Sequence, residues 1–138
     1  MYSFARFQKS PWSLVVLSGG RMVFKSRAKA IEPLLRYLNT NPPPLADAVI
    51  YDKYVGRAAA LLMTLVGPIV VKTPIISDGG AAALLEHEIA FEAGRQVKWP
   101  MGVASENMCY WEKLAMGKSP REFLAIARSA TDRSLRSC

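Results

Sequence analysis

The chain has 138 residues, 51% of them hydrophobic and 21% charged, with eighteen Lys and Arg against eleven Asp and Glu for a net charge of +7. A chain of this length buries roughly two thirds of the surface it exposes when unfolded, enough for one domain to stand without disulfides or a structural metal. Intrinsic disorder and disulfide scaffolds are thereby excluded. So is a zinc finger or ribbon, because Cys109 and Cys138 form no Cys-x-x-Cys pair and His87 is the sole histidine.

The N-terminus carries Arg6 and Lys9 where a secretory signal needs an apolar run. The chain then opens with a β-hairpin: Leu14 to Leu17 and Met22 to Lys25 flank Ser18-Gly19-Gly20-Arg21, and a glycine pair between apolar runs is a two-residue hairpin signal. Pro33 at an early helical position, with Leu34, Leu35 and Leu38 at helical spacing, predicts a short helix stopped before the rigid Pro42-Pro43-Pro44 loop. Ala46 to Tyr51 reads as a strand, and Tyr54 to Val66, apolar almost all round, as a helix covered on several sides. Gly67-Pro68 supplies its stop signal.

The longest apolar stretch, Ala58 to Val71, falls short of the ~20 residues of a spanning helix, so no membrane segment is expected. The expected setting is cytoplasmic, with reduced thiols. Ile69 to Ile76 is a β-branched run suited to a strand covered on both faces, with Pro74 marking a bend or an edge. Ser77-Asp78-Gly79-Gly80 reads as a turn into a helix over Ala81 to His87, and Phe91 to Trp99 as a further strand ended by Pro100. A short helix from Asn107 carries Trp111, Leu114 and Ala115. The last helix follows a capping box, Ser119-Pro120-Arg121-Glu122, ahead of Phe123, Leu124, Ile126 and Ala127.

A hairpin followed by alternating strands and helices implies an α/β domain with a mixed sheet, a three-layer α/β/α sandwich over residues 1–138 with a basic helix and tail from about 117. Ligands of such sheets sit beyond the carboxyl ends of the parallel strands, where helix starts aim their amides. Two loops qualify, Tyr51 to Gly56 and Ile76 to Ala81.

In the first, Asp52 suits the helix start as a cap. Lys53 and Arg57, four residues apart, crowd the positive end of the helix, where each is disfavoured. They call either for a bound anion, which Gly56 would let approach, or for pairing with Asp47, Asp52 or a distant acid. In the second, Ser77 and Asp78 either present free amides to a ligand or merely cap the helix. Cys109, near a helix start, is a structural thiol or a pocket residue; His87 is placed as a surface or dipole-complementing histidine, which leaves Cys109 no base. Glu112, one turn on, has Lys113, Arg57 or Lys53 as candidate partners. No cofactor fingerprint is present, and none is expected.

The run Asp52-Lys53-Tyr54-Val55-Gly56-Arg57-Ala58-Ala59-Ala60 resembles the Asp-Lys-Val-Val-Gly-Lys/Arg-Ala-Ala-Ala block of the family known as domain of unknown function 1893. Ser26, Ile31, Pro33, Leu34, Ala46-Asp47-Ala48 and Cys109-x-x-Glu112 support the likeness over residues 14–116. The late motif here is Cys109-Tyr110-Trp111-Glu112 where relatives carry Cys-Pro-x-Glu. The resemblance implies a cytidine-deaminase-like fold and, from the way such folds assemble, a homo-oligomer. Zinc deaminases place a His or Cys with a Glu at one helix start and two cysteines at the next. The corresponding starts here hold neither histidine nor cysteine, so zinc-dependent deamination is not expected.

Two functional readings follow. The first is a domain binding a small anionic or nucleotide-like ligand among Asp52, Lys53, Gly56, Arg57, Ser77, Asp78, Cys109 and Glu112. The second is an interaction or regulatory protein whose basic ends meet nucleic acid or an acidic partner. Residues 1–36 carry seven positive and one negative side chain, residues 37–116 six and eight, and residues 117–138 five and two.

Overall fold

Six strands form one mixed sheet in the computed structural model, which describes residues 1–98 and 110–130. The order along the chain is α1 (Phe4–Gln8), β1 (Leu14–Ser18), β2 (Arg21–Ser26), α2 (Glu32–Asn39), β3 (Ala48–Asp52), β4 (Tyr54–Val55), α3 (Arg57–Val66), β5 (Val70–Ser77), α4 (Asp78–Glu86), β6 (Ala90–Val97), α5 (Tyr110–Ala115) and α6 (Pro120–Ser129). The hairpin turns at Gly19 and Gly20, both at positive φ (56° and 79°), as a tight two-residue connection demands.

β1 pairs antiparallel with β2 and β3, whereas β3, β4 and β6 all run parallel to β5. β3 and β4 are one interrupted strand, since Val49 faces Val70, Tyr51 faces Lys72 and Tyr54 faces Ile75 in unbroken register. The interruption falls at Lys53. Asp52 causes it by accepting the Tyr54 amide on Oδ1 at 3.2 Å, a local turn that competes with the ladder. Opposite Pro74 of β5 stands Gly94 of β6, where a Cβ would lie 2.7 Å from the Pro74 carbonyl oxygen, so the bend at the proline is accommodated by a missing side chain next door.

The chain steps in one direction across the sheet, from β3 to β5 to β6. Right-handed crossovers then put α3 and α4 on the same face. There Leu14, Val16, Ile50, Val71 and Ile76 pack with α2, α3, α4, α5 and α6 in one buried cluster, with Leu61, Leu62 and Met63 of α3 fully enclosed. α3 is covered on several sides, as its sequence demands, and it ends at Gly67 in the left-handed conformation with its amide on the Met63 carbonyl.

Strand alternation sends Val15, Leu17 and Tyr51 to the opposite face, where they pack with Phe7 of α1. Among the described residues the expected three layers thus reduce to a full helical layer on one face and the short α1 on the other. α1, capped by Ser3 on the Arg6 amide, was not expected; five residues carry too little periodicity to announce a helix. α6 starts at the expected capping box, with Ser119 and Glu122 exchanging both hydrogen bonds. No described helix is long and apolar enough to cross a membrane.

Candidate functional site

α3 and α4 start beside each other, because the strands that feed them are neighbours: Val55 pairs with Ile76, and each helix begins two residues further on. The two starts abut closely. A Cβ on Gly80 would lie 2.5 Å from the Val55 carbonyl oxygen, and one on Gly79 would rest 3.5 Å from the Arg57 Cβ. Asp78, Gly79 and Gly80 are therefore the first turn of α4, not a turn ahead of a helix at Ala81. Ser77, buried at the end of β5, caps that turn by accepting the Gly80 amide on its hydroxyl at 3.0 Å. Asp78 is exposed and accepts from Gln96 Nε2 at 2.8 Å.

The start of α3 is capped from a distant element. Gly56 is its N-cap and has no side chain for the task. The carboxylate of Glu112 in α5 performs it, Oε1 accepting the Arg57 amide and Oε2 the Ala58 amide, both at 2.7 Å. A Cβ on Gly56 would lie 2.8 Å from Glu112 Cδ, so glycine is needed here for the approach of an internal carboxylate. Burial pushes Glu112 above the usual carboxylate range, against the opposing pull of the Ala58 and Arg57 amides and the Arg57 charge. Its neighbour Trp111 is buried, its ring edge-on to Phe123 at 6.4 Å, and its indole N–H meets no acceptor among the described residues.

Arg57 completes a reciprocal clamp between α3 and α5. Its Nε donates to the Ala115 carbonyl at 3.1 Å and its Nη2 to the Lys118 carbonyl at 3.3 Å, placing a cation at the carboxyl end of α5 where the helix dipole favours one. Nη1 lies 3.8 Å from Glu86 Oε2, with the arginine side chain 21% exposed.

Lys53 takes another path. The helix begins at Arg57 and not at Tyr54, so Lys53 and Arg57 do not share a helical turn, and the crowding inferred from their spacing does not arise. Lys53 occupies the strand break and follows strand alternation to the α1 side. There Nζ donates to the Ser10 carbonyl at 2.8 Å and sits 4.9 Å from the centre of the Phe7 ring. Asp52, its neighbour, is buried rather than capping a helix, and burial pushes its carboxyl up to about 8 against the pull of the Tyr54 and Lys53 amides and the Lys53 charge.

The structure thus brings Gly56, Arg57, Ser77, Asp78 and Glu112 together around two helix starts and sends Lys53 to the opposite side of the sheet. Cys109 lies outside the described residues. His87 closes α4, with Nδ1 at 2.9 Å from the Ala83 carbonyl oxygen, in keeping with a dipole-complementing histidine. Glu86 is the partner of Arg57 that sequence reasoning passed over; its place as the last residue of α4 gave no hint that the Arg57 side chain reaches it. No group of three or more His, Cys, Asp or Glu suited to a metal ion occurs among the described residues.

A mixed sheet with paired helix starts at the carboxyl ends of adjacent parallel strands defines an α/β domain of the kind that places its polar groups at one sheet edge. The family model described as TM1506, domain of unknown function (DUF1893), matches residues 4–128, and the chain belongs to that family. It is similar to a solved structure, the DUF1893 family protein TM1506 from Thermotoga maritima, with 27% identity and a TM-score of 0.78 over 91% of this chain and 84% of that one. No curated protein matches it.

Proposed function

We propose that the protein is a non-zinc, deaminase-like domain that binds a small anionic or nucleotide-like ligand at the paired starts of α3 and α4. The observation that carries this reading is the position of Arg57 between them. Its fork is anchored by the Ala115 carbonyl of α5 and the Lys118 carbonyl beyond it, and its remaining ion pair, with the 60% exposed Glu86 at 3.8 Å, is long enough for an incoming phosphate or carboxylate to displace. The absence of a side chain at Gly79 leaves the first turn of α4 bare beside it. Asp78 turns aside to Gln96. The α3 amides take no part, being held by Glu112, and Lys53 belongs to the other face.

A thermal-shift screen of nucleotides, nucleosides, sugar phosphates and carboxylates tests this. A ligand at about 100 times its Kd adds about 2.7 kcal/mol of stability. A phosphate-bearing hit is expected to stabilise the parent and Lys53→Ala alike, to stabilise Glu86→Gln more strongly because the competing carboxylate is gone, and to lose its effect on Arg57→Ala. Equal stabilisation of the parent and Arg57→Ala, or no hit in any class, contradicts the reading.

A further inference from the structure

The first 31 residues contain six cations and no Asp or Glu. Arg6, Lys9, Arg21, Lys25, Arg27 and Lys29 are all exposed, and none forms an ion pair with a described residue; the ion pairs among the described residues, Arg36 with Glu32, Arg57 with Glu86 and Lys72 with Glu92, lie elsewhere. Several of these cations rest on the aromatic layer that α1 forms over the sheet. Lys25 Nζ stands 4.4 Å and the Arg27 guanidinium carbon 5.1 Å from the centre of the Trp12 ring, and the Arg6 guanidinium carbon is 5.5 Å from that of Tyr2. Contact with a ring fixes a cation in place without neutralising it. The result is a patch of positive charge, unpaired with any acid among the described residues, beside β2, an edge strand of the sheet.

From this we infer that the α1 and β2 side of the protein docks single-stranded nucleic acid through its phosphates. Charge complementarity calls for an anion, and the absence of any Asp or Glu through residue 31 favours one whose charges are all negative. Lys25, in β2, and Arg27, just past its end, converge on the one Trp12 ring. Ser13 pins the chain there, its amide donating to the Ser26 carbonyl at 2.8 Å and its hydroxyl lying 3.0 Å and 2.7 Å from the Ser26 and Ala28 carbonyl oxygens, while the Ser26 hydroxyl accepts the Ala28 amide at 3.0 Å. Lys29 follows two residues after Arg27. Cations with no carboxylate among them suit a phosphodiester chain, which bears a negative charge on every nucleotide and no cation of its own, better than a folded acidic protein whose surface mixes both signs. Because Trp12 already carries two cations, it offers the bases no free platform, so binding is sequence-independent and sensitive to salt.

The test is fluorescence anisotropy of a labelled oligothymidylate with the full chain between 50 and 200 mM salt. Three phosphate contacts give a slope of log K against log salt of about −2, at about −0.7 per contact. The double variant Lys25→Glu/Arg27→Glu, changed only at exposed positions, is expected to lose at least about tenfold in affinity at low salt and to flatten the slope by about 1.4. Lys113→Glu/Arg121→Glu, an equal charge change on α5 and α6, is expected to stay close to the parent. Equal losses in the two double variants would show a net-charge effect alone and overturn the inference. Tighter binding to polyglutamate or to phosphatidylserine vesicles than to the oligonucleotide would overturn it in favour of an acidic protein or a membrane surface.

Discussion

At the start of α3 the charged groups are turned inward onto the protein, whereas along α1 and β2 they are turned out onto solvent. Glu112 spends both carboxylate oxygens on backbone amides, and Arg57 spends its Nε and Nη2 on backbone carbonyls, so that a short helix, α5, is fastened to a buried one. Arg6, Lys25 and Arg27 rest against aromatic faces and pair with no acid among the described residues. A basic chain need not use its cations alike: one is a structural tie that burial makes costly to cut, while the others cost the fold little to change and leave their charge exposed.

The largest expected effect lies on the inward side. Glu112→Ala leaves the Arg57 and Ala58 amides without their acceptor and is expected to destabilise the protein by about 3 kcal/mol, since each buried donor stranded in this way costs about 1–3 kcal/mol. Urea unfolding measures it. A loss below about 0.5 kcal/mol, the ordinary scale of a surface substitution, would erase the contrast. On the outward side the charge reversal at Lys25 and Arg27 is expected to stay within about that 0.5 kcal/mol, so that its effect on nucleic-acid binding is read on an intact fold.

A smaller effect is set by pH. The carboxyl of Asp52 is pushed from 3.8 up to about 8 by burial, so the folded state holds a proton that the unfolded state has released. Its contribution to stability is fully present below about pH 4 and is lost as pH rises toward about 8, and burial of Glu112 acts in the same direction. Urea midpoints at pH 5 and pH 8.5 are expected to fall from the first to the second. In Asp52→Asn, which keeps an acceptor for the Tyr54 amide and cannot ionise, the fall is expected to be shallower. An identical fall in both proteins would remove Asp52 as its source.

The elements that carry their own punctuation were legible in the sequence: the Gly19-Gly20 hairpin, the Gly67 stop and the Ser119 capping box appear where local chemistry puts them. The start of α3 was not. A helix ordinarily signals its beginning with a capping side chain nearby, but this one is capped by Glu112, fifty-five residues after Arg57, and the apolar Tyr54 and Val55 ahead of Gly56 continue the helical pattern while pairing as a strand. The late start moved Lys53 out of the helix and onto the opposite face, and with it the premise that two cations share one turn. Gly56, Ser77, Asp78 and Glu112, singled out in the sequence as ligand-binding candidates, stand at the helix starts, yet the approach that Gly56 permits is by Glu112. Only a tertiary contact decides between a bound anion and an internal carboxylate, because both satisfy the same amides.

The most direct measurement of this division is a pH titration of the backbone amide resonances of Arg57 and Ala58 by NMR, in the parent and in Glu112→Gln. In the parent the two amides are expected to shift together, with one apparent pKa above the usual carboxylate range, and in Glu112→Gln that shared titration is expected to vanish. If the amides of Arg57 and Ala58 titrate unchanged in the variant, or do not titrate in the parent, then Glu112 does not hold the start of α3 and the inward half of the comparison is wrong.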